Sequence, residues 1–191
     1  MSQPRVTLAL LGLAALLGST ELLVTAVALG LLGFIVVTLG SLLLAPLRRL
    51  LQGHALLLAA LLLGATLLSL VELLLQAFSR ELFSALALSL PLLILPYLGL
   101  ALERDTTPLA GLRPGLLFAA LAVTLGVLRE GLGSATLFSH ADWLFGPAAA
   151  SWQLSLTELG GTHLLTLAPG AFILLGVLLA AARHFHHDDM P

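Results

Sequence analysis

Apolar residues in this chain fall in long runs, each closed by a short polar or helix-breaking cluster, rather than at the alternating or three-to-four spacing of a half-buried element. The run from Leu22 to Ala45 holds no ionisable residue. As a helix rising about 1.5 Å per residue it reaches roughly 36 Å, more than the ~30 Å hydrocarbon thickness of a bilayer. Segments of this kind cover approximately 6–18, 22–45, 54–78, 83–102, 114–132 and 167–184, with a long connection from Gly133 to Thr166. The pattern predicts an all-α integral membrane protein with six transmembrane segments, forming one polytopic domain over residues 1–191.

The first and fourth segments are irregular. The first runs for about twelve residues, by the window that reads a spanning helix, before Gly18-Ser19-Thr20-Glu21, and the fourth is interrupted by Pro91 and Pro96. These are corresponding places in two three-helix halves, about 1–78 and 83–184, that cross in opposite directions. The expectation is an inverted three-plus-three repeat with broken helices in segments 1 and 4, whose breaks line a site near the membrane midplane. The plainer alternative is that proline and glycine are common in membrane helices and are repaired by their neighbours. The first run also has the length of a signal-peptide core, but Gly18 and Ser19 make a poor cleavage site, and the segment is kept as structure.

Composition sharpens this picture. The chain is 59% hydrophobic and 9% charged, and it contains no cysteine. That excludes disulfides, thiolate nucleophiles, cysteine-ligated zinc and self-supplied thiolate ligands for an iron–sulfur cluster. All basic side chains are arginine and the net charge is −2, so no polybasic patch invites nucleic acid. Counted by alternate sides, Arg5, Arg48, Arg49, Arg104, Arg113 and Arg183 fall on one face and Arg80 and Arg129 on the other, which places both termini in the cytoplasm. The long connection lacks basic residues and carries Trp143 and Trp152, as expected of an outer-face segment with its indoles at the interface.

Few residues offer chemistry. Glu72 lies within the third segment, where an ionised carboxylate costs about 2.5–3.5 kcal/mol on insertion scales; it either serves an ion or proton path or is a protonated or paired structural group. Arg129 and Glu130 end the fifth segment and point about 100° apart, so they are expected to seek separate partners, with interfacial anchoring the simpler role and an ion path the sharper one. Glu21 follows the first break, where it either caps the second helix or contributes to an ion path. The tail His184-Phe185-His186-His187-Asp188-Asp189 reads as solvated, and His140 and His163 as isolated. No phosphate loop, nucleophile elbow or zinc-protease helix occurs, so no self-contained enzyme is indicated and no metal or cofactor is expected on this chain itself.

Two blocks carry a specific resemblance. Gly126-Val127-Leu128-Arg129-Glu130-Gly131-Leu132-Gly133-Ser134-Ala135-Thr136-Leu137-Phe138 and Ala168-Pro169-Gly170-Ala171-Phe172-Ile173 resemble the E-subunit family of the bacterial Rnf (Rsx) electron transport complexes. The D subunits of sodium-translocating NADH:quinone reductases are similar. The likeness extends over nearly the whole chain, including Leu11-Gly12-Leu13 and Pro91-Leu92-Leu93-Ile94. It implies a membrane component of an inner-membrane complex that passes electrons between ferredoxin and NAD, coupled to sodium or proton movement. Its implied partners are the other membrane subunits (A, D and G) and the cytoplasmic subunits (B and C), which carry flavins and iron–sulfur clusters. Family members hold one cluster-ligating cysteine in each broken helix; the aligned positions here are Ala14 and Tyr97, neither of which replaces a thiolate. The chain is therefore expected to keep the fold without ligating the membrane cluster. The alternatives are a stand-alone small membrane transporter, with Glu72 supplying the charge of a substrate site, and a purely structural subunit.

Overall fold

The computed structural model describes residues 14–101, 109–149, 151–155 and 165–187. Residues 14–19 are helical (α1), and the chain then bends at 21–22 before α2, Leu23–Leu50. Next come α3 (His54–Phe78), α4 (Arg80–Leu86), a 3₁₀ turn at Pro91–Leu93, α5 (Ile94–Ala101) and α6 (Leu112–Gly133). Beyond α6 lie β1 (Thr136–Leu137), α7 (Asp142–Phe145), a 3₁₀ turn at Pro147–Ala149, β2 (Leu154–Ser155) and α8 (Ala168–His187).

Three of these helices, α2, α3 and α6, are each long and apolar enough to cross a membrane, and α4 with α5 makes a fourth if the pair is one span bent by 62°. In α8 the apolar stretch is shorter, Pro169–Leu178. Most of the expected first segment lies outside the described residues. The expectation of a purely helical chain is corrected in one detail: β1 and β2 pair antiparallel, Thr136 opposite Ser155 and Leu137 opposite Leu154. Two residues per strand are too few to leave a period-two pattern in the sequence.

The tightest packing is between α2 and α6, and it runs through small residues. A side-chain carbon added at Gly126 would strike Ala26, and one at Gly30 would lie 3.2 Å from the backbone of Ala119. Lipid offers no hydrophobic drive between spanning helices, so their association depends on such close approach. By contrast, α3 buries one narrow stripe, Ala60, Gly64, Val71 and Leu75, and leaves Leu58, Leu62, Leu73 and Leu74 exposed. That is the form of a helix whose other sides meet acyl chains.

The first long helix runs further than its apolar run, through Pro46 to Leu50. Proline removes one helical donor. The last turn is nonetheless anchored, because Arg48 Nη2 donates to the carbonyls of Leu100 (2.9 Å) and Ala101 (3.1 Å) at the end of α5. At the opposite end of the bundle α4 packs against α7.

Candidate functional site

The break between α1 and α2 releases backbone groups of both kinds: carbonyls at the end of α1 and amide hydrogens at the start of α2. Two neighbouring side chains of α6 meet them. All five N–H bonds of Arg129 are used: Nε donates to Leu165 O (3.3 Å), Nη1 to Leu17 O (3.2 Å) and Thr20 Oγ1 (2.9 Å), and Nη2 to Thr166 O (2.7 Å) and Leu167 O (3.4 Å). The Thr20 hydroxyl spends its hydrogen on Leu16 O (2.5 Å), which leaves its lone pairs for the guanidinium. On the other side of the break, Glu130 Oε2 accepts from Leu23 N (2.5 Å) and Oε1 from Ser139 N (2.7 Å).

Both side chains are 0% exposed. Arg129 meets Leu17 O at the carbonyl end of α1 and Glu130 meets Leu23 N at the amide start of α2, each against a partial charge opposite to its own, while their other backbone partners lie in connecting chain. Arg129 and Glu130 hydrogen-bond to different partners, as their angular separation on the helix leads one to expect. The simpler expectation of interfacial anchoring is overturned by their complete burial. Glu21, expected to cap α2, is exposed and provides no cap; Glu130 performs that task from 107 residues away.

Reaching Ser139 requires a sharp return of the chain after α6. Ala135, Phe138 and His140 all adopt left-handed backbone, at φ of 54°, 61° and 59°. Such residues cost about 1–2 kcal/mol each. The Glu130 bond and a Thr136–Ser139 hydroxyl contact of 3.0 Å help to hold the return in place.

The second break is closed locally. Pro91 has no amide hydrogen, and the turn before it is completed by Ser89 N and Leu90 N donating to Leu86 O (2.8 and 3.0 Å). Leu92 N and Leu93 N then donate to Ser89 O and Leu90 O (3.1 and 3.0 Å), which starts the next helix. The two breaks touch: the Ser19 and Ser89 hydroxyls are 2.5 Å apart and buried, and Gly18 leaves just enough room for Ser89. Sequence reasoning identified both breaks, although Pro96, expected to interrupt the fourth segment as well, lies within α5; it singled out neither serine, for which the Gly18-Ser19-Thr20 cluster and the residues before Pro91 were the available signal.

Ala14 and Tyr97, the positions expected from the resemblance to stand in place of cysteines, have different surroundings. Ala14 is half-buried. Tyr97 is fully buried, its ring lodged between α2 and α3 where glycines admit it; an added carbon would lie 2.5 Å from the ring at Gly40 and 2.9 Å at Gly64. Its hydroxyl is buried without a hydrogen-bond partner among the described residues. Glu72 is half-buried on α3.

At the end shared by α4 and α7, a cavity of about 690 Å³ is lined by Phe78, Ser79, Glu81 and Asp142 to Gly146. Nearby, His140 stacks on Trp143 at 4.6 Å, and Phe145 meets Trp152 at 5.5 Å. His163 and the last residues of the tail, from Asp188, lie outside the described residues.

Comparison with known proteins gives a consistent match. A family model described as "Rnf-Nqr subunit, membrane protein" matches residues 1–179. A Pseudomonas aeruginosa (strain LESB58) protein, named as the E subunit of an ion-translocating oxidoreductase complex, is 36% identical over 180 residues, spanning 90% of this chain and 76% of the relative. A protein of the same name from Cellvibrio japonicus is 34% identical over 182 residues, with the same shares. One from Thioalkalivibrio sulfidiphilus is 39% identical over 112 residues, 54% of this chain and 49% of the relative.

Proposed function

Because the chain belongs to the Rnf-Nqr family of membrane subunits, we propose that it serves as the E subunit of an ion-translocating oxidoreductase complex. The observation that carries this reading is where the matched blocks lie in three dimensions. Arg129 and Glu130 from the first block, and the segment entering α8 just before the second, are bound together around the first helix break. The first resembling block and the chain that leads into the second thus share one buried arrangement.

In this reading the chain crosses the inner membrane as an inverted three-plus-three repeat, with both termini cytoplasmic. The contact between Ser19 and Ser89 supports the repeat, since it joins the two irregular segments at their interruptions. Electrons pass between ferredoxin and NAD through flavins and clusters carried by partner subunits of the A, D, G, B and C kinds, coupled to sodium or proton movement. Glu72 is the carboxylate proposed for an ion path. Glu72→Gln in the purified complex should lower ion transport per electron without changing assembly, and unchanged coupling would favour a purely structural subunit.

The residues at Ala14 and Tyr97 do not fit an iron–sulfur cluster. An alanine methyl donates no electrons, and the Tyr97 ring fills the space between Gly40 and Gly64, so its phenol has no freedom to act as a ligand. In this reading the chain supports the complex without holding its membrane cluster, and the electrons pass through groups on partner subunits.

The test is affinity purification of the tagged chain from native membranes in mild detergent, with mass spectrometry of the partners and assays for flavin and iron. Co-purification with flavin-bearing, iron-containing subunits is expected. Recovery of the chain alone, colourless and free of iron, would overturn the assignment in favour of a stand-alone transporter.

A further inference from the structure

Between Ala55 and Ala77, the polar side chains of α3 are Thr66, Ser69, Glu72 and Gln76. Thr66 is exposed and satisfies itself: its hydroxyl donates to Leu62 O (2.6 Å) and Leu63 O (3.1 Å) of its own helix. Exposed Thr124 on α6 does the same toward Ala120 O (2.7 Å). Bonds of this kind let a hydroxyl face acyl chains. Ser69, Glu72 and Gln76 differ, since none of them makes a hydrogen bond or ion pair among the described residues.

These three lie on one line of the helix. With Leu58, Leu62 and Ala65 they recur at alternating steps of four and three residues, which is the seam of a left-handed pair of helices. Leu58, Leu62, Ala65, Ser69 and Gln76 are exposed and Glu72 is half-buried, whereas the stripe that α3 buries in its own bundle, Ala60, Gly64, Val71 and Leu75, falls on another side. Ala65 and Ser69 are small enough to let a second backbone come close. Acyl chains offer no donor or acceptor to a hydroxyl, a carboxyl and an amide in a row, so lipid leaves this seam unsatisfied. A second copy of this chain, paired parallel about a two-fold axis, would set Glu72 against Glu72, and two carboxylates sharing one site repel.

We infer that a spanning helix of a different membrane subunit docks along this seam, packing closely at Ala65 and Ser69 and bringing hydrogen-bonding side chains to Glu72 and Gln76. The ion path proposed through Glu72 then runs along a subunit boundary. That last point rests on the proposed role of Glu72, while the docking rests on the seam.

The test uses the tagged full-length chain in its native membranes. The photoreactive residue p-benzoylphenylalanine replaces Leu62, on the seam, or Leu74, exposed on a different side of α3, and adducts are sequenced by mass spectrometry after irradiation. Position 62 should capture a spanning segment of another polypeptide that carries hydrogen-bonding side chains, in clearly higher yield than position 74. Lipid adducts alone at position 62, capture of this chain itself, a wholly apolar segment, or equal yield from both positions would overturn the inference. The double variant Ala65→Leu/Ser69→Leu adds bulk to the seam and leaves the buried stripe intact, so it should lower recovery of the captured polypeptide several-fold; undiminished recovery would also overturn the docking. A partner captured as expected, but in an assembly free of flavin and iron, leaves the docking intact and overturns the place in the redox complex instead. Ion transport per electron in Glu72→Gln reads the ion route separately.

Discussion

At the first break the released backbone groups are taken up by side chains 107 to 112 residues away on α6, whereas at the second the turn over residues 86–93 closes through its own amides and carbonyls. Two interruptions in the same chain, in contact through Ser19 and Ser89, are thus stabilised by different means. The difference follows from what opens them. Pro91 removes a donor but lets the chain continue in helical turns, so few groups are orphaned. The chain at 20–22 leaves helical geometry altogether, and in a membrane each orphaned group costs several kcal/mol unless protein supplies a partner. A charge-assisted bond is the stronger remedy, and it makes the first break dependent on distant parts of the fold.

The comparison can be broken by substitution. Arg129→Met should cause the largest loss, about 3–5 kcal/mol, because it leaves five acceptors at a buried position without their charge-assisted donors. Thermal or denaturant unfolding in nanodiscs measures it. Gly40→Ala should cost about 1–3 kcal/mol by driving a methyl into the Tyr97 ring. Most of that loss should disappear in the Gly40→Ala/Tyr97→Leu double variant, and the non-additivity is the diagnostic. Ser89→Ala should cost only about 0.5–1.5 kcal/mol, the worth of one neutral hydrogen bond; a loss equal to that of Arg129→Met would erase the distinction between the breaks. Tyr97→Phe should be neutral or stabilising by up to about 1 kcal/mol, since it deletes a buried hydroxyl that lacks a partner among the described residues.

Much of the architecture was legible in the sequence. The span 54–78 coincides with α3 because Gly53 and Ser79 bracket an apolar run, and Pro91 marked the second break. The second segment runs further than its expected end at Ala45: α2 continues through Pro46 to Leu50, where Arg48 finds carbonyls on α5, a contact no local pattern records. The charges at the site were recognised but their surroundings were not. A charged pair at a helix end looks interfacial until the break and residues 165–167 are folded over it, and local spacing favours Glu21 over a carboxylate on another helix. Ser19 and Ser89 left no signal beyond their place beside a break, since a hydroxyl pair becomes meaningful only when two distant turns meet.

The most direct test is hydrogen exchange at individual backbone amides, comparing wild type with Glu130→Ala in nanodiscs. Exchange at Leu23 and Ser139 should accelerate strongly, because both lose their acceptor, while Leu90 and Leu93 in the self-closed turn keep their protection. Equal acceleration at both breaks, or none at Leu23, would contradict the claim that α6 holds the first break while the second holds itself.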